Sequence, residues 1–432
     1  MTAEPADRRP HIVVLGGGFA GLQFCRSLPP ELARITLIDR ENHHVFQPLL
    51  YQVASAGLSA VDIAQPIRGL FADRPHFAVI MAEVTAVDLA SRRVRHSRGE
   101  VGYDYLVVGL GSATSYFGHD DWARHALGLK SLDDALHIRR RILSAFEKAE
   151  TETDPAERAA LMTMIIVGGG PTGVEMAGTI AELARKILKR DFDHIDPTRA
   201  KVMLIEGDDR LLTTFAPVLS ASARRQLERL GVEVRTGLRV EDIAPGRLTV
   251  AGEVIRAGTI IWAAGVAASP LGRSLGAEVD RGGRVKVRPD LSLPEHPEVF
   301  VCGDMAALVD PNGVAVPGVA PAAMQMGAHA AKVIRREIEA GRSQAGPRAP
   351  FVYRDKGSMA TIGRSAAVAQ VGRLQLRGTL AWLAWLGVHL LFLVGFRNKL
   401  AVLINWIYSY LTYKRGARVI TGVSGRPPAG SA

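Results

Sequence analysis

Two stretches of the chain share one order of apolar and small residues, HIVVLGGGFAGL (11–22) and TMIIVGGGPTGVE (163–175). Each is a short β-branched run, then three glycines, then residues that open a helix. Each is followed by a second apolar run ending in an acid, RITLIDR (34–40) and KVMLIEG (201–207). Strand, glycine turn, helix and strand begin a dinucleotide-binding βαβ unit, so two copies predict two such domains. YDYLVVGLGS (103–112) and AGTIIWAAGV (257–266) read as matching buried strands, and EVFVCGDMA (298–306) as another that ends at Gly303-Asp304. PAAMQMGAHAAKVIRREIEA (321–340) has apolar residues at helical spacing. GRSQAGPRAP (341–350) is a linker by composition. A last module starts near Phe351 and ends in a tail, TGVSGRPPAGSA, expected to be mobile.

Gly16-x-Gly18-x-x-Gly21 and Gly168-x-Gly170-x-x-Gly173 each fit the phosphate-binding fingerprint. The first glycine permits the tight turn, the second lets the backbone approach a pyrophosphate, and the third lets helix and strand pack closely. The helix start offers unpaired N–H groups to the phosphates. This places Gly16, Gly17, Gly18, Phe19, Ala20 and Gly21 in one site, and Gly168, Gly169, Gly170, Pro171, Thr172, Gly173 and Val174 in the other. Asp39 and Glu206 end the second strands and are the candidate ribose acceptors. Glu206 lies further from its glycines, because the stretch Val174–Arg199 is long. A carboxylate there accepts from a ribose hydroxyl and repels a 2′-phosphate, so the second site is expected to prefer NADH.

A chain of 432 residues, 47% hydrophobic and 22% charged, is a globular protein of two or three domains. Its net charge of +10 favours anionic partners. Without zinc-ligand spacing or basic blocks interleaved with aromatics, nucleic acid is the weaker candidate and no metal site is expected. Two cysteines, Cys25 and Cys302, exclude a disulfide framework and suit a reducing compartment. The opening MTAEPADRRPH reads as neither a secretory signal nor a transit peptide.

Gly303-Asp304 resembles the FAD-binding Gly-Asp element of the two-dinucleotide flavoprotein superfamily. That predicts an FAD domain of residues 1–125 and 291–340 split around an NAD domain of 126–290. More of the chain, about 11 to 420, resembles the type II (single-chain, non-pumping) NADH:quinone oxidoreductases. HHVFQPLLYQVASAGLS (43–59) looks like the segment beside the flavin ring, and GGGPTGVE (168–175) like the NADH-binding signature, ending in Glu175 near the flavin. KGSMATIGRSAAVA (356–369) and GFRNKLAVLINWIYSYLTY (395–413) match the C-terminal pattern. The resemblance implies non-covalent FAD, NADH as substrate and a membrane quinone as acceptor. It adds Arg40, Gln47, Val84 and Ala320 to the FAD contacts and Gly265 to the NAD contacts. It assigns Glu175 to proton handling or positioning, Gln325 to a quinone carbonyl, and Lys356 to a charge near the flavin and quinone. One departure stands out. The family's Ala-Gln-x-Ala-x-Gln is here Ala320-Pro321-Ala322-Ala323-Met324-Gln325, so proline replaces the first amide.

TLAWLAWLGVHLLFLVGF (379–396) carries no formal charge and reaches the roughly 18-residue threshold for a spanning helix. LAVLINWIYSYLTY (400–413) follows. Trp382, Trp385, Trp406, Tyr408, Tyr410 and Tyr413, with Arg397, Lys399, Lys414, Arg415 and Arg418, suit a membrane–water interface. The residues also allow one spanning helix or a buried dimer interface. The resemblance favours an amphipathic helical module, within a C-terminal segment of 350–432, lying on the cytoplasmic face of an anionic membrane in a homodimer. Removing everything after about Arg377 is then expected to release the chain. His389 reads as a packed or interfacial histidine rather than a ligand. The rival functions are a sulfide:quinone oxidoreductase, which needs reactive cysteines, and a redox sensor whose output is association with a partner.

Overall fold

The computed structural model describes residues 9–412 and 417–420. The readings placed on the first eight residues, on Tyr413, Lys414 and Arg415, and on the tail from Thr421 lie outside the described residues. Two compact units emerge, 1–44 with 65–113 and 266–356, and 45–64 with 114–265 and 357–432.

The first unit is built on a five-stranded parallel sheet in the order Val299–Val301, Tyr105–Val108, His11–Leu15, Arg34–Asp39, Phe77–Met81. Its strands are near-continuous Val/Ile/Leu runs, as a sheet covered on both faces requires. The helices Phe19–Ser27 and Ala320–Ala340 pack so closely that a Cβ at Gly327 would lie 2.2 Å from the Ala20 carbonyl oxygen. Pro321 falls in the first turn of the second of these helices, where a missing N–H costs no hydrogen bond.

In the second unit the order is Leu127–Gly128, Thr259–Trp262, Thr163–Val167, Lys201–Ile205, Val232–Arg235, again parallel. Each sheet therefore runs outward from its glycine-loop strand in the doubly wound manner. The internal repeat goes deeper than the glycine turns. Each unit also carries a three-stranded antiparallel sheet, at 84–102 and 240–256, after the third parallel strand counted from its glycine-loop strand.

Several segments differ from their sequence readings, and residues 45–64 and 114–125 fall in the second unit. Residues 266–290 fall in the first unit, where Ser269 N–H donates to Gly111 (3.1 Å) and Ala268 N–H to Gly282 (2.9 Å). Residues 341–350 are tied down rather than a free linker: Arg348 bridges Glu337 (2.6 Å) and Asp290 (2.9 Å), and Arg342 reaches Glu298 (3.4 Å).

The apolar run 379–396 does not form one helix. It divides into Thr379–Phe392 and Phe396–Thr412, with Leu393 extended and Gly395 at φ +86°. Among the described residues no helix is long and apolar enough to cross a membrane.

Candidate functional site

The two glycine turns repeat each other atom for atom. Gly16 (φ +94°) and Gly168 (φ +109°) occupy the left-handed region that suits glycine, and their N–H groups donate to Ile38 and Ile205, both at 2.8 Å. A Cβ at Gly21 would sit 2.0 Å from the Gly16 carbonyl oxygen, and one at Gly173 only 1.7 Å from that of Gly168. The middle glycines are the exception. A Cβ at Gly18 would meet nothing nearer than 4.0 Å, and one at Gly170 nothing at all within that range. Open space therefore lies where a pyrophosphate needs close backbone approach, and the crowded glycines flank it. Phe19 and Ala20 open the first helix; Pro171, Thr172 and Val174 open the second.

Asp39 and Glu206 also play one part twice. Asp39 Oδ2 accepts from Gly17 N–H at 2.6 Å and Oδ1 from Glu41 N–H at 2.8 Å. Glu206 Oε2 accepts from Gly169 N–H, and Oε1 from Asp208 N–H at 2.8 Å. Each carboxylate is thus fixed beside its loop by backbone donors, with lone pairs left for a ribose diol. Two unit charges ~4 Å apart at an effective dielectric of ~20 interact by ~4 kcal/mol, a heavy penalty on a 2′-phosphate. Steady-state kinetics should give NADH at least about a tenfold higher kcat/KM than NADPH. Equal values would show that Glu206 does not choose the nucleotide.

His44 adds an atom the sequence did not single out. Its Nδ1 lies 2.9 Å from the Gly17 carbonyl, so Nδ1–H donates there, and Nε2 is buried without a protein partner. Burial holds the imidazole down to about 4, hence neutral, with Nε2 able to accept from a ligand hydroxyl. In the same unit Asp304 Oδ2 accepts from Ser112 at 2.7 Å, and Gly303 (φ +70°) lies against Ala20 and Ala323. Ala320 starts its helix, Val84 is half-buried, and Arg40 is exposed in a loose pair with Glu41. Gln47 and Gly265 belong to the second unit; Gln47 is exposed, and the Gly265 carbonyl accepts from Ser115 N–H at 3.1 Å.

Of the three residues assigned to the chemistry, Gln325 and Lys356 fall in the first unit and Glu175 in the second. Lys356 is exposed. Gln325 pairs with the backbone of Arg354, accepting its N–H and donating to its carbonyl, both at 3.0 Å. One of its two amide hydrogens remains for another acceptor.

Glu175 lies at the centre of a buried polar cluster. The helix Pro171–Glu182 meets the strand Ser358–Gly363 with almost no gap: a Cβ at Gly178 would lie 1.7 Å from the Ile362 carbonyl oxygen. Glu175 and Glu182, two helical turns apart on one face, therefore both reach that strand. Thr361 N–H donates to Glu175 at 3.3 Å and Arg364 N–H to Glu182 at 2.7 Å. Desolvation pushes the Glu175 carboxyl up to about 8, opposed only by the Thr361 N–H. Beside it runs a chain of hydrogen bonds. Trp406 indole N–H donates to Gln52 (2.8 Å), the Gln52 amide donates to Tyr51 Oη (3.0 Å), and the Tyr51 and Thr361 hydroxyls share a hydrogen bond at 2.8 Å. His389 is packed, as read: Nδ1–H donates to Trp385 C=O at 2.8 Å, and burial holds the ring down to about 4.

Tyr51, Gln52, Thr361, Glu182 and Arg364 were absent from the sequence-based site. Only one signal pointed their way, two acids seven residues apart on an otherwise apolar helix. Cys25 and Cys302 are fully buried, and burial pushes both thiols up to about 12. Neither is a reactive thiol.

Residues 10–327 match the family model of the pyridine nucleotide-disulphide oxidoreductases, and residues 356–414 that of the NDH2 C-terminal domain. The chain is 45% identical to the type II NADH:quinone oxidoreductase Ndh of Mycobacterium tuberculosis, over 97% of this chain and 92% of that one. Its fold is similar to that of NDH2 from Plasmodium falciparum solved in complex with NADH, with a TM-score of 0.88 at 21% identity, covering 96% of this chain and 100% of the other. The sulfide:quinone oxidoreductase of Aquifex aeolicus shares the fold more distantly, with a TM-score of 0.70 at 17% identity over 90% and 92% of the two chains.

Proposed function

The chain belongs to the type II NADH:quinone oxidoreductases, and from that premise we propose which of its residues serve the reaction. It is an FAD enzyme that oxidises NADH and reduces a quinone. When bound, FAD supplies the redox step, accepting a hydride from NADH and returning two electrons to the quinone. We assign FAD to the first glycine turn, with Asp39, His44 and Asp304, and NADH to the second, with Glu206.

A hydride carries one proton with its two electrons, so forming a quinol takes one more proton from the medium. Glu175 is the group we assign to supply it. The observation that carries this reading is a buried carboxyl, held by Thr361 N–H and pushed by desolvation up to about 8, hence protonated at neutral pH. Gln325 offers its remaining amide hydrogen to a quinone carbonyl, and Lys356 contributes positive charge. The test is anaerobic stopped-flow: full-length enzyme is reduced with NADH and then mixed with a short-chain quinone. Rapid reoxidation supports the assignment. A long-lived reduced complex would favour the sensor reading instead.

We further place the C-terminal helical pair on an anionic lipid surface. Leu380, Leu391, Phe392, Phe396, Ile404 and Ile407 are all about half or more exposed, Phe396 at 81%. Residues 356–432 contain ten Lys or Arg and no Asp or Glu, and so carry the whole net charge of +10. Each apolar side chain contributes ~1.5–3 kcal/mol when fully buried, and each basic residue ~1 kcal/mol near anionic headgroups. Replacing Leu391, Phe396 and Ile404 together by serine should lower binding to anionic vesicles at least about a hundredfold, with melting temperature nearly unchanged. Undiminished sedimentation with vesicles would put the contact elsewhere.

A further inference from the structure

The second unit lines up three parallel strands in spatial order, Thr163–Val167, Lys201–Ile205 and Val232–Arg235. The glycine turn for the pyrophosphate follows the first, and Glu206, the ribose acid, follows the second. A dinucleotide laid along the carboxyl ends of these strands carries its base one strand spacing further, about 4.8 Å. The base then arrives where the third strand ends. There the chain turns at Gly237 (φ +73°) and runs beside the acid. Gly237 N–H donates to the Asp208 carbonyl (2.7 Å) and Leu238 N–H to that of Glu206 (3.0 Å). The next residue is Arg239.

Arg239 lies against Gly207, the residue after the acid. A Cβ at Gly207 would sit 3.4 Å from its Cγ and 4.0 Å from its Nε, and both residues are exposed. Glu206 spends its carboxylate on the N–H groups of Gly169 and Asp208. Among the described residues the Arg239 guanidinium has no ion pair or hydrogen bond. It therefore offers a flat cationic face, beside a residue without a side chain, to an aromatic base.

The internal repeat isolates this position. In the first unit the strand Phe77–Met81 is followed by Ala82, whose N–H donates to the Asp39 carbonyl (2.8 Å) as Leu238 does to Glu206. Val84 and Val240 then open matching antiparallel strands, each with a register shift after that residue. The residue in between is Glu83 in one unit and Arg239 in the other. One backbone position thus carries opposite charge in the two sites. By the assignment above, only the second meets a nucleotide that comes with or without a 2′-phosphate.

We propose that Arg239 receives the adenine end of NADH, stacked on the base, and that it leaves Glu206 alone to exclude NADPH. The inference rests on the assignment of NADH to the second glycine turn. An arginine beside the ribose acid is the group that accommodates a 2′-phosphate, so Arg239 by itself favours the nucleotide that Glu206 repels.

In FAD-loaded, full-length enzyme, Arg239→Ala should weaken AMP binding about fivefold by calorimetry. KM for NADH should rise by a similar factor with kcat unchanged, because the base is remote from the transferred hydride. Glu206→Gln should raise kcat/KM for NADPH at least about tenfold, and adding Arg239→Ala should remove most of that gain. Undiminished AMP affinity in Arg239→Ala, or an NADPH gain that survives it, would overturn the role of Arg239. The single variant keeps the test open if Glu206→Gln does not fold. If folded Glu206→Gln leaves the preference between the two nucleotides unchanged, NADH is not held by Glu206 at the second turn, and the inference falls with that reading.

Discussion

Glu175→Gln is expected to slow quinone-driven reoxidation about a hundredfold at pH 7, the lower range for losing a general acid. The amide matches the carboxyl in size and still accepts from Thr361 N–H, so packing is preserved while the proton is lost. In wild-type enzyme the carboxyl is pushed up to about 8, so the rate should fall as pH rises through that value. The variant should lack this inflection. Stability gives an independent readout. The folded chain keeps the Glu175 proton up to about pH 8, whereas the unfolded chain releases it near 4.5. Between those values the folded state binds more protons, so wild-type stability declines with rising pH across that window and is undiminished below it. The loss amounts to a few kcal/mol above pH 8. Melting curves should show Glu175→Gln less sensitive to pH over this range. Parallel curves for the two proteins would mean that Glu175 ionises as an ordinary surface acid.

Truncation after Arg377 is expected to unfold the second unit, not merely to release the protein from membranes. The C-terminal helices have two faces. Outward they present the exposed apolar residues; inward they bury Ala381, Trp385, Val402 and Trp406, and Asn398, whose amide donates to the carbonyls of Val61 (3.3 Å) and Ala64 (3.2 Å). Asn405 reaches Asp62 at 3.1 Å, and Trp406 holds Gln52. Deleting a buried Trp typically costs ~3–5 kcal/mol, and here two are lost together with the bonds that orient Gln52 and Tyr51. That is comparable with the whole stability of a domain, ~5–15 kcal/mol. Calorimetry of the truncated chain should show the transition of the second unit lost or lowered by tens of degrees. A truncated chain that melts like the intact one would reduce these helices to a detachable anchor. The triple serine variant of the outward face is therefore the cleaner probe of membrane binding.

The glycine turns and the acids that close them were legible in the sequence because they are local. Gly16 and Gly168 need positive φ, Gly21 and Gly173 have no room for a Cβ, and Asp39 and Glu206 end the adjoining strand. Backbone sterics write such requirements into short stretches of chain, and the fold follows from repeating them. The cluster around Glu175 was not legible beyond Glu175 itself. Thr361 meets Tyr51 across 310 positions, Trp406 meets Gln52 across 354, and Arg364 meets Glu182 across 182. Nothing in the local pattern at Tyr51 or Thr361 separates a residue of this cluster from an ordinary core residue. Nor does composition show that the run 379–396 breaks at Leu393–Gly395, or which face of each helix turns inward. Those choices rest on packing over long chain separations: Asn398, Asn405 and Trp406 meet residues 52–64, and the strand Ser358–Gly363 seats against Gly178.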